Sequence, residues 1–140
     1  MIKYLKYYIV PFLSIFVLIG ICLGGHWMWL GVVVLFVVVV GGDAILGEDT
    51  SQPEYSYPWL IELPLHLALP FIIILLLSFA WASGRGDQDF LGIGELLGGL
   101  IPLDFLAARN NSVWTDFVGA ILGVGFMVVG YGTNVGHELT

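Results

Sequence analysis

Four apolar stretches separated by short polar breaks make up most of this 140-residue chain, and they approach the length that crosses a bilayer. A hydrocarbon core of roughly 30 Å needs about 20 apolar residues in a helix. Only helices and closed barrels can keep every backbone group paired there. The first stretch runs from about Tyr8 to Leu23 and ends at Gly24-Gly25-His26-Trp27. The second runs from about Trp27 to Leu46, and the tight turn between them makes a helical hairpin. Its β-branched run, Val32 to Val40, would suggest a strand in water. At this length, with Trp27 and Trp29 as interface anchors, it predicts a spanning helix instead. A polar loop follows from Asp43 to Tyr57.

The third stretch, about Trp59 to Trp81, contains Pro64 and Pro70. Membrane helices tolerate such prolines when the freed carbonyls find other partners. Arg85, Asp87 and Asp89 then break the pattern. Phe90 to Ala108 is apolar but carries Glu95, Pro102 and Asp104. Each central charge in a span costs about 2.5–3.5 kcal/mol on the insertion scale, so the segment reads as re-entrant or interfacial. The last span begins near Val113, with Asn110-Asn111-Ser112 as its N-cap, and runs to Gly136. The expected fold class is all-α: a polytopic membrane helical bundle of about four transmembrane helices plus one re-entrant or interfacial segment.

Composition agrees. Hydrophobic residues make up 59% and charged residues 11%, far below the roughly 25% charged of a soluble domain. Eleven acids against four bases leave a net charge of −7 and no basic stripe, so no nucleic-acid partner is expected. The single Cys22 excludes a disulfide within the chain and a cysteine-based zinc site; it reads as a small apolar residue. The segment Met1 to Lys6 looks like a signal-peptide start, but the stretch after it lacks a small-residue cleavage site, so a retained first helix is expected. Lys3 and Lys6 favour a cytoplasmic N-terminus. Four spans then return His137 to the cytoplasmic side, where reducing equivalents are available.

Chemistry concentrates at Asn134-Val135-Gly136-His137-Glu138-Leu139-Thr140. His-Glu-Leu-Thr supplies four of the five positions of H-E-x-x-H, whose second histidine would follow Thr140. Histidines at i and i+4 aim two imidazoles at one metal, so the chain is expected to be the N-terminal piece of a longer metalloenzyme, inert by itself. His137 is the candidate metal ligand. Asn134 shares a face with both His137 and Glu138, the spacing of an outer partner that orients an imidazole. The pattern serves two chemistries: a zinc protease, with the glutamate as base, or a membrane di-iron oxygenase with several histidine boxes. A plainer alternative is a boundary histidine on a non-catalytic bundle.

Other polar residues read more modestly. Asp43, near the end of an apolar helix, is either an interfacial acid or a substrate-channel or outer-shell residue. Glu48, Asp49 and Glu54 read as a solvated loop. Glu62 and His66, at i and i+4, could form a carboxylate–imidazole pair, while Glu95 and Asp104 would snorkel to water. His26, in the turn, is a poor iron ligand. The spacings Gly20-x-x-x-Gly24, Gly94-x-x-x-Gly98, Gly119-x-x-x-Gly123 and Gly132-x-x-x-Gly136 permit close helix approach. Trp27, Trp29, Trp59, Trp81 and Trp114 read as an interfacial belt.

Two motifs and an order of elements carry a family resemblance. The stretch Gly42-Asp43-Ala44-Ile45-Leu46-Gly47-Glu48-Asp49-Thr50-Ser51-Gln52-Pro53-Glu54 and the Asn134–Thr140 box are similar to those of the membrane-bound alkane hydroxylases (alkane 1-monooxygenases), within the membrane desaturase and hydroxylase superfamily. The order hairpin, acidic loop, helix, polar break, helix, box is similar too. Fatty-acid desaturases and xylene-type monooxygenases share the box. The resemblance implies a single membrane di-iron oxygenase domain of which residues 1–140 are the first part, cut within the first histidine box. It also implies a bacterial inner-membrane location, two non-haem irons with His137 as the one ligand carried over, a hydrophobic substrate with O₂, and rubredoxin as electron donor. The expected reaction is terminal hydroxylation of alkanes. Hydrogen abstraction from an unactivated C–H bond needs such an oxidant, and histidine ligands suit iron.

Overall fold

The computed structural model describes residues 6–46, 57, 59–84 and 86–138, with side chains for 7–42, 57, 59–84 and 86–133. Helix α1 (Ile9–Leu23) follows a 3₁₀ turn at Lys6–Tyr8, and a second such turn, Gly25–Trp29, leads into α2 (Leu30–Leu46). Helix α3 spans Trp59–Ser83. Beyond it lie α4 (Ile93–Leu100), α5 (Phe105–Asn110) and α6 (Trp114–Glu138). No strand occurs among the described residues, and the valine run is helical as expected.

Three of the four expected spans reach membrane length on their own: Gly25–Gly42, Trp59–Ser83 and Trp114–Thr133. Helix α1 has only 15 residues, about 22 Å at 1.5 Å per residue, and it lies innermost. Its Leu13, Ser14, Val17, Gly20 and Ile21 are buried, and it packs against α2, α3, α5 and α6. By contrast, Val33, Phe36, Val37 and Val40 of α2 and Leu69, Ile73 and Leu76 of α3 point outward. Apolar residues turned outward along three long helices are what a lipid-facing surface requires.

Small residues set how closely α1 is gripped. Val17 sits between Gly31 of α2 and Gly123 of α6, where an added Cβ would press into its side chain. A Cβ on Gly119 would stand 2.7 Å from the Trp29 ring, and one on Gly20 would strike the Trp27 carbonyl. Two of the anticipated glycine spacings, Gly20/Gly24 and Gly119/Gly123, therefore bear on packing. Gly98 has only a loose neighbour, and nothing lies near a Cβ on Gly132.

The prolines of α3 leave it continuous. Pro64 has no N–H for the Leu60 carbonyl one turn earlier, and the Tyr8 hydroxyl donates to that carbonyl at 2.9 Å. The freed group thus finds a partner in the neighbouring turn that precedes α1. Phe71 stacks on Tyr131 of α6, whose hydroxyl lies 3.2 Å from Ser14 Oγ of α1.

The awkward 90–108 segment resolves into α4 and α5, eight and six residues long, with a break at Ile101–Asp104. Neither crosses a bilayer. One of the two acids that argued against a span, Asp104, serves as a helix cap, and so does Asp89 just before the segment. Asp89 accepts from the Gly94 and Glu95 amides at 3.0 and 2.8 Å, and Asp104 accepts from the Ala107 amide at 2.9 Å. Glu95 and Asp104 are both exposed, as anticipated, and Asp104 caps α5 as well.

Two further expectations are corrected. Helix α6 begins at Trp114, and Asp116 reaches back to the Val113 amide at 2.8 Å, half of a capping box. The anticipated caps bond elsewhere: Asn110 to Gly86, and Ser112 to the Gly25 amide. The tryptophan belt holds for Trp27, Trp59 and Trp114, which are exposed. Trp81 is instead wholly buried, because its indole N–H has a carboxylate to meet.

Gly24 adopts φ 67°, ψ −177°, a region essentially closed to residues with a side chain. A Cβ there would also stand 2.7 Å from the Ala108 carbonyl oxygen. Gly24→Ala should destabilise the bundle by roughly 1–3 kcal/mol, read as a lower unfolding midpoint in detergent. Ala at Gly41, where nothing lies near a Cβ, should leave the midpoint unchanged or raise it slightly.

Candidate functional site

The long helices alternate in direction, so the bundle has two ends. One end gathers the 24–29 turn and residues 84–113; the other gathers Lys6–Tyr8, the close of α2, the start of α3 and the close of α6.

At the first end, polar groups are committed to one another. Arg109 is only 3% exposed. Its guanidinium donates to the carbonyls of Gly86 at 2.5 Å, Gln88 at 3.2 Å and Trp81 at 3.5 Å, and lies 5.3 Å from the Trp81 ring centre. Stacking on an indole face suits this weakly hydrated cation. Trp81 donates in turn to Asp89 at 2.7 Å. Burial alone would raise the Asp89 carboxyl's pKa. The Glu95 and Gly94 amides, the Trp81 indole and the Arg109 charge outweigh it and hold the group below its ordinary value. Beside this knot, exposed His26 places Nδ1 2.9 Å from Oδ1 of Asp116, a buried carboxylate.

The second end holds the sequence candidates. Asp43 lies in the last turn of α2, and Asn134, His137 and Glu138 close α6. Their side chains lie outside the described residues. Topology brings the two helix ends to the same end of the bundle, because α6 packs on both α2 and α3. Glu62 and His66 belong to this end as well. Both are exposed, and the His66 ring bonds to the Glu62 main-chain carbonyl at 2.9 Å rather than forming the anticipated carboxylate pair. Among the described residues, no three His, Cys, Asp or Glu side chains gather where they could hold a metal ion.

Sequence reasoning missed Asp116 and Arg109. Asp116 had a usable signal, an acid three residues after the N-cap position. Arg109 had none, since a lone arginine before a span reads equally well as a surface charge.

No family model matches the chain, and no solved structure matches it. Over 83 residues it is 39% identical to the xylene/toluene monooxygenase hydroxylase component XylM of Pseudomonas putida, a match covering 58% of this chain. It is a distant homologue of a membrane monooxygenase. The match spans 22% of that protein's length. The relation places the chain beside an oxidoreductase, and the helix-only fold with three membrane-length helices accords with it.

Asp89 gives a pH test of the first end. Its lowered pKa contributes stability that is present above the unfolded value of about 3.9 and lost as pH falls through the folded value. Asp89→Asn should lower the unfolding midpoint at pH 7 and flatten its fall below about pH 4, measured by thermal unfolding in a non-ionic detergent.

Proposed function

We propose that this chain is part of an O₂-dependent membrane hydroxylase whose substrate is a small hydrocarbon drawn from the bilayer. The observation that carries the reading is the homology to the xylene/toluene hydroxylase component. It favours a xylene-type enzyme, oxidising the methyl group of an alkylbenzene, over the alkane 1-monooxygenase that the two motifs resemble. A benzylic C–H bond is weaker than that of an alkane terminus, but neither offers a proton to a base or a carbon to a nucleophile. Both call for an oxidant made from O₂.

By the resemblance, two non-haem irons would supply that oxidising chemistry when bound, with His137 as this chain's ligand. Asn134, Glu138 and Asp43 would act around it, orienting the imidazole or lining the approach of substrate. The remaining ligands would come from segments other than those described. Residues 1–140 form the opening helical part of a single domain in this reading. Placement at the second end is consistent with it, since Lys3 and Lys6 favour that end as cytoplasmic. Electrons would then arrive from the cytoplasm of a bacterial inner membrane, with rubredoxin as the donor that the resemblance implies.

The test uses the whole protein that carries this chain, purified from membranes. Metal analysis should find about two irons per chain, and the reconstituted enzyme should convert toluene to benzyl alcohol faster than octane to octanol. One zinc and no iron would overturn the reading, and faster octane turnover would restore the alkane assignment. His137→Ala should lose iron and turnover while still inserting in the membrane. Asp43→Asn should insert normally with turnover reduced at least several-fold, and unchanged turnover would return Asp43 to an interfacial acid.

A further inference from the structure

A groove of about 390 Å³ lies between α4 on one side and α1 and α3 on the other, lined by Leu18, Cys22, Leu77, Ser78, Ile93 and Leu97 among others. It belongs to the first end of the bundle, far along α3 from His137. We infer that this groove holds one acyl chain of a membrane lipid.

Continuity with the lipid-facing surface carries the inference. Ile74 and Leu77 line the groove and are also about half exposed on α3, so it opens sideways toward hydrocarbon. Its far wall is α4, too short to span, with the 3₁₀ turn Phe90–Gly92 that precedes it; Leu96 of the helix and Leu91 of the turn line the groove while remaining 67% and 53% exposed. Phe90, Leu100 and Leu103 extend the same outward apolar surface. Helix α4 therefore lies over the groove with lipid-compatible residues on both sides. Its N-terminus is already satisfied by Asp89, so no polar end competes for the site. An apolar groove of this kind does not recruit water, and a void would forfeit dispersion contacts along its whole lining. A flexible hydrocarbon tail from the surrounding leaflet fills it without leaving any polar group unpaired.

The experiment reconstitutes the whole protein that carries this chain in phospholipid nanodiscs doped with a lipid carrying a photoactivatable group in its acyl chain. Cross-links should concentrate several-fold in residues 74–78 and 91–97 relative to the outward face of α2. Leu97→Trp, which fills the groove, should abolish that enrichment, whereas Leu76→Trp, on an exposed position outside the lining, should preserve it. If Leu97→Trp fails to fold, Ile93→Phe, a smaller addition to the same lining, serves the same purpose. Uniform labelling would overturn the inference, as would labelling that survives a filled groove. Displacement of the lipid by added toluene or octane would assign the groove to free hydrocarbon, and a chain-to-chain cross-link there would assign it to a second copy. Neither depends on whether the intact enzyme oxidises anything, so failure here is distinct from failure of the hydroxylase reading.

Discussion

Inside a bilayer, a backbone or polar group without a partner costs several kcal/mol, and this structure is arranged around that constraint. At the end formed by the 24–29 turn and residues 84–113, most described polar side chains are committed to the main chain. Asp89, Asp104 and Asp116 cap helices, Arg109 gathers three carbonyls, and Ser112 and Asn110 hold Gly25 and Gly86. That commitment lets the chain reverse four times within a short space and return to hydrocarbon.

The grip on the first helix is the second element. Helix α1 is the shortest of the four apolar stretches yet the most enclosed, because Val17 nests between two glycines and Gly20 and Gly24 admit backbone from the turn and from α5. Close approach of this kind replaces the hydrophobic driving force that lipid removes from helix association. An enclosed α1 leaves the outward faces of α2 and α3 to the lipid, and those faces carry valines and Phe36 on α2 and leucines and isoleucines on α3.

Much of this was legible in the residues. Hydropathy and length gave the spans, the glycine-rich turn gave the hairpin, and two acids in an apolar stretch foretold that 90–108 would not cross. What escaped depended on contacts between segments distant in sequence. Trp81 reads like any interfacial tryptophan until Asp89 and Arg109 are seen beside it. Ser112 looks like an N-cap, yet its hydroxyl serves an amide 87 positions away. On function, the His-Glu pair and the Asp43 motif pointed to membrane oxygenases. They could not separate alkane from alkylbenzene, because both substrates are apolar and neither needs a polar group that the letters would betray.

Pro64 also ties two distant parts of the chain together. Removing one amide from α3 leaves the Leu60 oxygen, in that helix's first turn, open to a donor from elsewhere, and the donor is Tyr8, 52 residues upstream. The entry of the third helix is thus latched to the head of the first by a single hydroxyl, and a residue with an amide at position 64 would make that latch redundant.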